Sequence, residues 1–288
     1  MFVLELLFFI TMISRLIRQS LRAQSSAEFT FTRPQEGIVI MGMNRPKARN
    51  AISKNLVICF EEAIAQVQHD TSVRALIIRS HVPNAFCAGA DLKERAQMTP
   101  EEVGPFVSRL RAFIAAIRDL PCATIAAVDG FALGGGLELA LSCDLRVASD
   151  SAKMGLTETR LAIIPGAGGT QTLSRVVGPA KAKELIFTAK IFDGNYANDI
   201  GLVNNVVPQN DQGDAAYIEA LNLAQAIKPQ GPVALRMAKL AINKGSEVDL
   251  STGLAIEQAC YAQVIPTKDR IEGLTAFREK RKPVYKGE

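Results

Sequence analysis

The stretch ATIAAVDGFALGGGLELALSCDLRVASD (residues 123–150) decides the fold class of this chain. It begins with an apolar strand, passes through three consecutive glycines into a short helix, and ends in a second strand, LRVASD. Nearly continuous apolar strands indicate burial on both faces, which is typical of parallel sheets covered by helices. This order of strand, turn, helix and strand therefore predicts an α/β protein.

The alternation of strands and helices continues on both sides of this stretch. EGIVIMGM (36–43) and VRALIIRS (73–80) are predicted strands, and the helix predicted between them has Ser53 as its N-cap. A charged, amphipathic helix is predicted at about 100–119, and the sequence is helical after about residue 175. Because no Gly/Ser linker separates these parts, we expect one catalytic core with a helical C-terminal region.

The composition excludes several classes of protein. The chain has 288 residues, of which 48% are hydrophobic and 22% are charged, and this is enough for a large single core. A net charge of +4 is too small to predict nucleic-acid binding by itself. The five cysteines are widely spaced and include no C-x-x-C pair, so we expect reduced thiols and neither a disulfide framework nor a metal site.

The N-terminal residues 1–25 differ from the rest of the chain. The apolar segment 1–13 is too short to span a bilayer. From Met12 to Ala27 the sequence carries arginines and serines without an acidic residue, which is typical of a mitochondrial presequence. We therefore expect a mitochondrial matrix protein, with a membrane-associated helix as the alternative. The cleavage site and the choice between Met1 and Met12 as the start stay open.

Two glutamates twenty residues apart are the best candidates for acid–base chemistry. Glu138 lies in GFALGGGLELA and Glu158 lies in MGLTETRLAIIPGAGGTQ, each near a glycine-rich turn. Carboxylates in a dry cleft can serve as acid and base near neutral pH, and the two histidines of the chain lie in polar or loop-like sequence. Each glutamate also has a structural interpretation, Glu138 as a favourable charge on the first turn of a helix and Glu158 as a solvated loop charge.

Two glycine turns are candidates for an oxyanion hole. Residues 134–136 lie between a buried strand and a helix, so their N–H groups lie at a helix N-terminus and favour negative charge. A second turn, CAGAD (87–91), follows the strand at 73–80. Two such turns could each direct one N–H at a single carbonyl oxygen, and tight turns with close packing are the alternative. Neither turn matches a P-loop or dinucleotide fingerprint, and the chain has no G-x-S-x-G motif.

Four segments of the chain resemble the enoyl-CoA hydratase (crotonase) superfamily, and they occur in the family's order. They are NRPKARNA, FCAGADLKE, IAAVDGFALGGGLELALSCDLRVAS and MGLTETRLAIIPGAGGTQTLSR. The resemblance covers about residues 36–288. It implies a crotonase-like spiral of ββα units over 26–215 and a helical trimerisation region over 216–288, with assembly into homotrimers or hexamers.

The resemblance also implies the roles of matching positions. The backbone N–H groups of Ala90 and Gly135 would hold the thioester oxygen, and Glu138 and Glu158 would bracket the catalytic water, with donor and acceptor unassigned. The presence of both glutamates favours hydration over isomerisation of a double bond. Phe277 and Lys280 match a C-terminal phenylalanine and lysine that, in the family, can reach the coenzyme A (CoA) bound to a neighbouring subunit. The residues expected to contact CoA are Lys47, Arg49, Ala51, Ala90, Asp91, Leu92, Lys93, Phe277 and Lys280.

Within the superfamily, the chain is most similar to mitochondrial hydratases that act on 3-methylglutaconyl-CoA in leucine degradation and also bind AU-rich RNA. The segments that carry this similarity include FCAGADLKERAQM, AKELIFTAK, NDQGDAAY and EQACYAQVIPTKDRIEGLTAFREKR. The implied reaction is reversible addition of water across the C2–C3 double bond, with CoA as part of the substrate and no separate cofactor or metal. A general short-chain enoyl-CoA hydratase or isomerase is the alternative.

RNA binding is possible for such a chain but is disfavoured. The first helix, which carries the RNA-binding lysines in those relatives, presents Lys54, Ile58 and Glu62 here, so only one of the three is basic. Because affinity for nucleic acid depends on neutralising phosphates, this face predicts poor RNA binding. We also expect no stable membrane insertion.

Overall fold

The computed structural model describes residues 28–288, so the predicted presequence at 1–25 and the choice of start residue lie outside the described residues. The strands are β1 (Phe29–Gln35), β2 (Ile38–Met43), β3 (Ala75–Ser80), β4 (Ala85–Cys87), β5 (Ala123–Val128), β6 (Phe131–Leu133), β7 (Leu145–Ser149), β8 (Lys153–Gly155), β9 (Phe192–Asp193) and β10 (Asn205–Val207). The helices are α1 (Lys54–Gln68), α2 (Leu92–Ala96), α3 (Pro100–Arg118), α4 (Gly135–Ser142), α5 (Gly169–Val177), α6 (Pro179–Phe187), α7 (Gly194–Asp199), α8 (Ala215–Ile227), α9 (Pro232–Gly245), α10 (Leu250–Val264) and α11 (Lys268–Glu279). Short 3-10 helices lie at Pro46–Ala48 and Glu158–Leu161.

The strands form two sheets, and the chain alternates between them. The larger sheet has the order β1-β2-β3-β5-β7-β10 and the smaller one the order β4-β6-β8-β9. Pairing is parallel except for β1 with β2 and β8 with β9. From β3 to β8, each step places one strand in the large sheet and the next in the small sheet before a helix returns the chain. This is the predicted spiral of ββα units, and the α/β fold class is confirmed.

Both faces of the central strands β2, β3, β5 and β7 of the large sheet are largely buried, which explains their continuous apolar sequence. In β2, Met41 and Met43 face one core, which contains Phe60 of α1, while Ile38 and Ile40 face a second one. The second core is closed by α8, whose buried alanines recur at every fourth position and let the helix lie close to the sheet. When both faces of a parallel sheet are covered, water does not reach the backbone hydrogen bonds between its strands. The ends of these strands are therefore fixed positions from which the following turns start.

The helix predicted after Ser53 is confirmed, and its cap is the predicted one. The Ser53 side chain accepts a hydrogen bond from the Leu56 N–H at 3.0 Å, and α1 buries its apolar face against the core. Helix α3 spans Pro100–Arg118, close to the predicted range of about 100–119. No helix within residues 28–288 is both long enough and apolar enough to cross a membrane.

The C-terminal helices α9, α10 and α11 follow the core, as the sequence predicts. A partly buried ion pair joins α9 to the core: Lys239 Nζ lies 2.8 Å from Asp144 Oδ2 and donates to the Cys122 carbonyl at 2.9 Å. Helices α9 and α10 cross where Gly245 and Gly253 face each other, since a Cβ on Gly253 would lie 3.3 Å from the Gly245 carbonyl oxygen. The boundary at 215/216 and the trimerisation role of this region stay predictions.

Candidate active site

The two predicted glycine turns lie side by side because the strands that precede them are paired. Strand β4 leads into residues 87–91, β6 leads into 133–135, and the two strands are parallel neighbours. Gly89 has a φ of +95°, and a Cβ there would lie 2.8 Å from the Leu133 carbonyl oxygen and 3.3 Å from the Gly135 nitrogen. Only glycine combines this backbone conformation with such a close approach. The second turn is anchored by the Gly134 N–H, which donates to the Gly155 carbonyl at 2.8 Å.

The N–H groups of Ala90 and Gly135 belong to these neighbouring turns. Ala90 forms a parallel bridge with Ile52, in which the Ile52 N–H and carbonyl bond to the residues on either side of Ala90. The Ala90 N–H is therefore turned away from that bridge, and a Cβ on Gly135 would lie 3.6 Å from the Ala90 nitrogen. Between residues 28 and 288, neither N–H donates a hydrogen bond. Two backbone donors of this kind can stabilise one developing oxyanion.

Glu138 is buried, with 4% of its surface exposed, and it lies on the first turn of α4. Its Oε1 accepts hydrogen bonds from the Ala167 N–H at 2.9 Å and from the Gly169 N–H at 2.7 Å. Burial raises the pKa of Glu138, while the two backbone N–H groups and the charge of Arg111 act in the opposite direction. The carboxylate thus has fixed donors on one oxygen, and its charge is balanced by two helix N-termini, those of α4 and α5.

Glu158 begins the short 3-10 helix and lies against the triple-glycine turn. A Cβ on Gly134 would lie 3.2 Å from Glu158 Oε1. Its Oε2 is buried and has no hydrogen-bond partner among the residues that the structure describes. Burial raises the pKa of Glu158 to about 7, and the negative charge of Glu138 adds to this, while the Glu158 N–H opposes it. Carboxyl groups with such perturbed pKa values are typical of catalytic positions.

The turn at 165–169 holds Glu138, and the sequence did not identify it as part of the site. Gly169 is the first residue of α5, and a Cβ there would lie 2.9 Å from Glu138 Cγ, Glu138 Oε1 and Pro165 Cβ. The segment GAGG before a helix was the available signal, because glycines at a helix start let backbone N–H groups approach an anion.

Among the predicted CoA contacts, Lys47 and Arg49 are exposed on the loop between β2 and α1. Lys47 lies in the 3-10 helix Pro46–Ala48, and Arg49 follows it with a left-handed φ of +49°. Ala51 lies two residues farther on and is half-buried. Two cationic side chains and the half-buried Ala51 thus lie on one loop. This loop leads directly into Ile52, which forms the bridge with Ala90.

Asp91, Leu92 and Lys93 form the start of α2. The Asp91 carboxylate caps this helix by accepting from the Lys93 N–H at 3.1 Å, and its other oxygen lies 3.2 Å from Arg45 Nη2. Arg45 also donates to the Ala51 carbonyl. The Asp91 side chain therefore joins the start of α2 to the loop between β2 and α1, on which Arg45 lies. Leu92 and Lys93 are exposed. Arg45 lies in the segment NRPKARNA, but it is not among the residues predicted to form the site.

Phe277 and Lys280 lie at the end of α11. Phe277 is 87% exposed, and Lys280 ends the helix with a left-handed φ of +55°. Such exposure of a large aromatic side chain leaves it available to another chain. Their contact with the CoA of a neighbouring subunit stays a prediction.

The known proteins that are similar to this chain include enoyl-CoA hydratases. The model of a family described as enoyl-CoA hydratase/isomerase matches residues 33–288. The human protein named "Methylglutaconyl-CoA hydratase, mitochondrial" is 64% identical over 252 residues, which cover 88% of this chain and 74% of that protein. The mouse protein named "Enoyl-CoA hydratase domain-containing protein 2, mitochondrial" is 58% identical over 256 residues, covering 89% and 86%. A crystal structure of enoyl-CoA hydratase from Bacillus anthracis superposes with a TM-score of 0.87 at 45% identity, covering 91% of this chain and 100% of that one.

Proposed function

Since this chain belongs to the enoyl-CoA hydratase/isomerase (crotonase) family, we propose that it is the hydratase of 3-methylglutaconyl-CoA. It is a hydro-lyase that acts on an enoyl-CoA. The product would be 3-hydroxy-3-methylglutaryl-CoA, formed reversibly in leucine degradation. The observation that carries the proposal is the pair Glu138 and Glu158, both with raised pKa values, beside two backbone N–H groups from neighbouring turns.

The backbone N–H groups of Ala90 and Gly135 would bind the thioester carbonyl oxygen. Polarisation of this carbonyl makes C3 of the enoyl group electrophilic and stabilises the enolate that forms when water adds there. The oxygen of water bonds to C3, the C2–C3 π electrons move into the enolate, and a proton then bonds to C2. One glutamate takes a proton from water and the other gives a proton to C2, so the net addition is one water molecule and the proposed reaction needs no separate cofactor.

The environments of the two glutamates favour different roles. Two N–H donors on Glu138 Oε1 stabilise its carboxylate form, which suits the group that takes a proton from water. Glu158, whose pKa is raised to about 7, holds a proton in part of the molecules at neutral pH and suits the donor to C2. Because the two groups interact, their titration belongs to the pair.

A hydration assay with 3-methylglutaconyl-CoA and crotonyl-CoA tests the function. We expect 3-methylglutaconyl-CoA to have the higher kcat/KM, and we expect Glu138→Gln and Glu158→Gln each to lose roughly 10²–10⁴-fold in kcat. Glu62→Gln, on the exposed face of α1, is the matched control and keeps its activity. Full activity in either active-site variant would contradict the mechanism, and preference for crotonyl-CoA would favour a general short-chain hydratase.

We further propose that the protein acts in the mitochondrial matrix as a homotrimer or hexamer. The names of the human and mouse relatives support the mitochondrial location. Fractionation of mitochondria and the native mass of the purified protein test these two statements. A membrane-bound or monomeric protein would contradict them.

RNA binding is proposed to be weak. The exposed positions Lys54, Ile58 and Glu62 of α1 offer one positive charge against one negative charge. Salt-dependent binding of an AU-rich oligonucleotide is the test, since phosphate neutralisation makes such affinity fall with salt. Tight, salt-sensitive binding would contradict the proposal.

A further inference from the structure

The turn that holds Glu138 is itself held by a cation on α3. Arg111 donates to the Gly166 carbonyl oxygen from Nε at 3.2 Å and from Nη2 at 3.0 Å. Val107 lies one helical turn earlier on the same helix, and its Cγ1 would be 3.0 Å from a Cβ on Gly166. One face of α3 therefore packs on the turn at 165–169, with an apolar contact beside a charged one.

Arg111 and Glu138 are connected through a single peptide group. The carbonyl that accepts from Arg111 belongs to Gly166, and the N–H of the same peptide group belongs to Ala167. That N–H donates to Glu138 Oε1 at 2.9 Å. A cation on the oxygen of a peptide group polarises it and makes its N–H a stronger donor, because linked hydrogen bonds reinforce one another. The positive charge thus acts on the carboxylate through two consecutive hydrogen bonds.

We propose that Arg111 is a positioning residue for Glu138: it fixes the turn at 165–169 and strengthens the Ala167 N–H as a donor to the carboxylate. This keeps Glu138 in its orientation and in its charged form, ready to take a proton. The role given to Glu138 rests on the proposed function, whereas the contact between Arg111 and the turn does not. The charge of Arg111 also lowers the pKa of Glu138 against the effect of burial, in agreement with this role.

The chain offers a matched control on the same helix. Arg109 lies two residues from Arg111 and forms an ion pair with Glu61 of α1, with Nη2 2.6 Å from Oε2. Arg109→Met therefore removes a surface ion pair from α3 without touching the turn. Arg111→Met removes the cation from the turn, and Arg111→Lys retains the charge but not the two donors of a guanidinium.

The experiment measures kcat and KM for crotonyl-CoA and 3-methylglutaconyl-CoA across about pH 5 to 9. For Arg111→Met we expect kcat to fall about tenfold with both substrates, less than for loss of an acid–base group, while KM changes less than about twofold. The acidic limb of the pH profile moves to higher pH, because Glu138 loses the charge that lowers its pKa and must be ionised to act. Arg111→Lys recovers part of kcat, and Arg109→Met keeps the original values.

Two outcomes would overturn the inference. One is an unchanged kcat and pH profile in Arg111→Met. The other is a rise in KM confined to 3-methylglutaconyl-CoA, which would mean that Arg111 binds the free carboxylate of the substrate and does not position Glu138.

Failure of the proposed function is distinguishable from failure of this inference. If the unmodified enzyme hydrates neither substrate, the proposed function is wrong, and the contact is then tested without activity. Carbon-13 NMR follows the titration of the Glu138 carboxyl, assigned by its loss in Glu138→Gln. An increase of its pKa in Arg111→Met supports the positioning role, and an unchanged pKa overturns it.

Discussion

Glu138 Oε1 and the Gly169 N–H are joined by a hydrogen bond of 2.7 Å that places the carboxylate where a side chain at position 169 would otherwise lie. A Cβ there would be 2.9 Å from both Glu138 Cγ and Oε1. The acid–base group of α4 is thus held by the first N–H of α5. The Glu138 carboxylate therefore links α4 to α5, although the two helices are separate in sequence.

Gly169→Ala is therefore expected to displace Glu138 and to lower kcat by roughly 10²-fold, because small displacements of a catalytic group carry a large cost in rate. Steady-state kinetics of hydration measure this. Gly104→Ala in α3 is the control: outside its own helix backbone and its chain neighbours, no atom lies within 4 Å of its added Cβ, so kcat stays constant. An active Gly169→Ala variant would show that the hydrogen bond does not position Glu138.

Glu158→Gln is expected to stabilise the protein above pH 7 and to change its stability little at pH 4.5 or below. Burial raises the folded-state pKa of Glu158 from 4.5 to about 7, so the folded state binds more protons than the unfolded state between these values. Stability contributed by the protonated carboxyl is complete below pH 4.5 and is lost as pH rises through about 7. Thermal unfolding of both proteins across this range measures the difference. A constant difference in Tm would contradict the prediction, and Glu62→Gln controls for the loss of one surface charge.

Asp91→Ala is expected to lower the free energy of unfolding by about 0.5–2 kcal/mol, because α2 loses its N-cap. KM for acyl-CoA is also expected to rise, since Asp91 no longer joins α2 to Arg45 on the neighbouring loop. Denaturant unfolding and steady-state kinetics measure the two effects. Asp249→Ala removes a cap of the same kind from α10, so it lowers stability and leaves KM unchanged. If both variants behave alike in KM, the link between the loops does not affect binding.

Gly89→Ala is expected to reduce kcat by roughly 10²–10³-fold, the cost of losing one oxyanion donor. Its Cβ would lie 2.8 Å from the Leu133 carbonyl oxygen, at a φ of +95°, so the turns that carry Ala90 and Gly135 must move apart. Gly37→Ala is matched in backbone strain, at a φ of +78°, but lies in the turn between β1 and β2. It is expected to lower Tm and to keep kcat. Equal activity of the two variants would argue against an oxyanion hole at these turns.

The sequence predicts the long elements of the fold well, because their apolar patterns and caps are local. The helix after Ser53 and the buried strand Ala123–Val128 are examples. It does not predict β1 (FTFTRPQ), whose alternating pattern includes a proline and whose stability comes from pairing with β2. The three-residue strands β4, β6 and β8 lie in segments that read as loops, since so short a strand depends on its neighbours.

The candidate site is predictable only in part, for a physical reason. Glu138 and Glu158 are visible because carboxylates are chemically distinctive. The residues that hold Glu138 act through backbone N–H groups or through a bond to a backbone carbonyl, as Ala167, Gly169 and Arg111 do. Such contacts join segments that are far apart in sequence, and no residue type marks them.

The buried, unpaired Oε2 of Glu158 also bears on how copies of this gene would diverge. A carboxyl group that lowers stability at neutral pH persists only while selection for its chemistry opposes its replacement. In a duplicate released from that selection, replacement of Glu158 by a neutral side chain is expected to stabilise the fold at neutral pH, so nothing in the fold opposes its loss. A glutamate retained at this position in a distant duplicate is therefore a mark of retained catalysis.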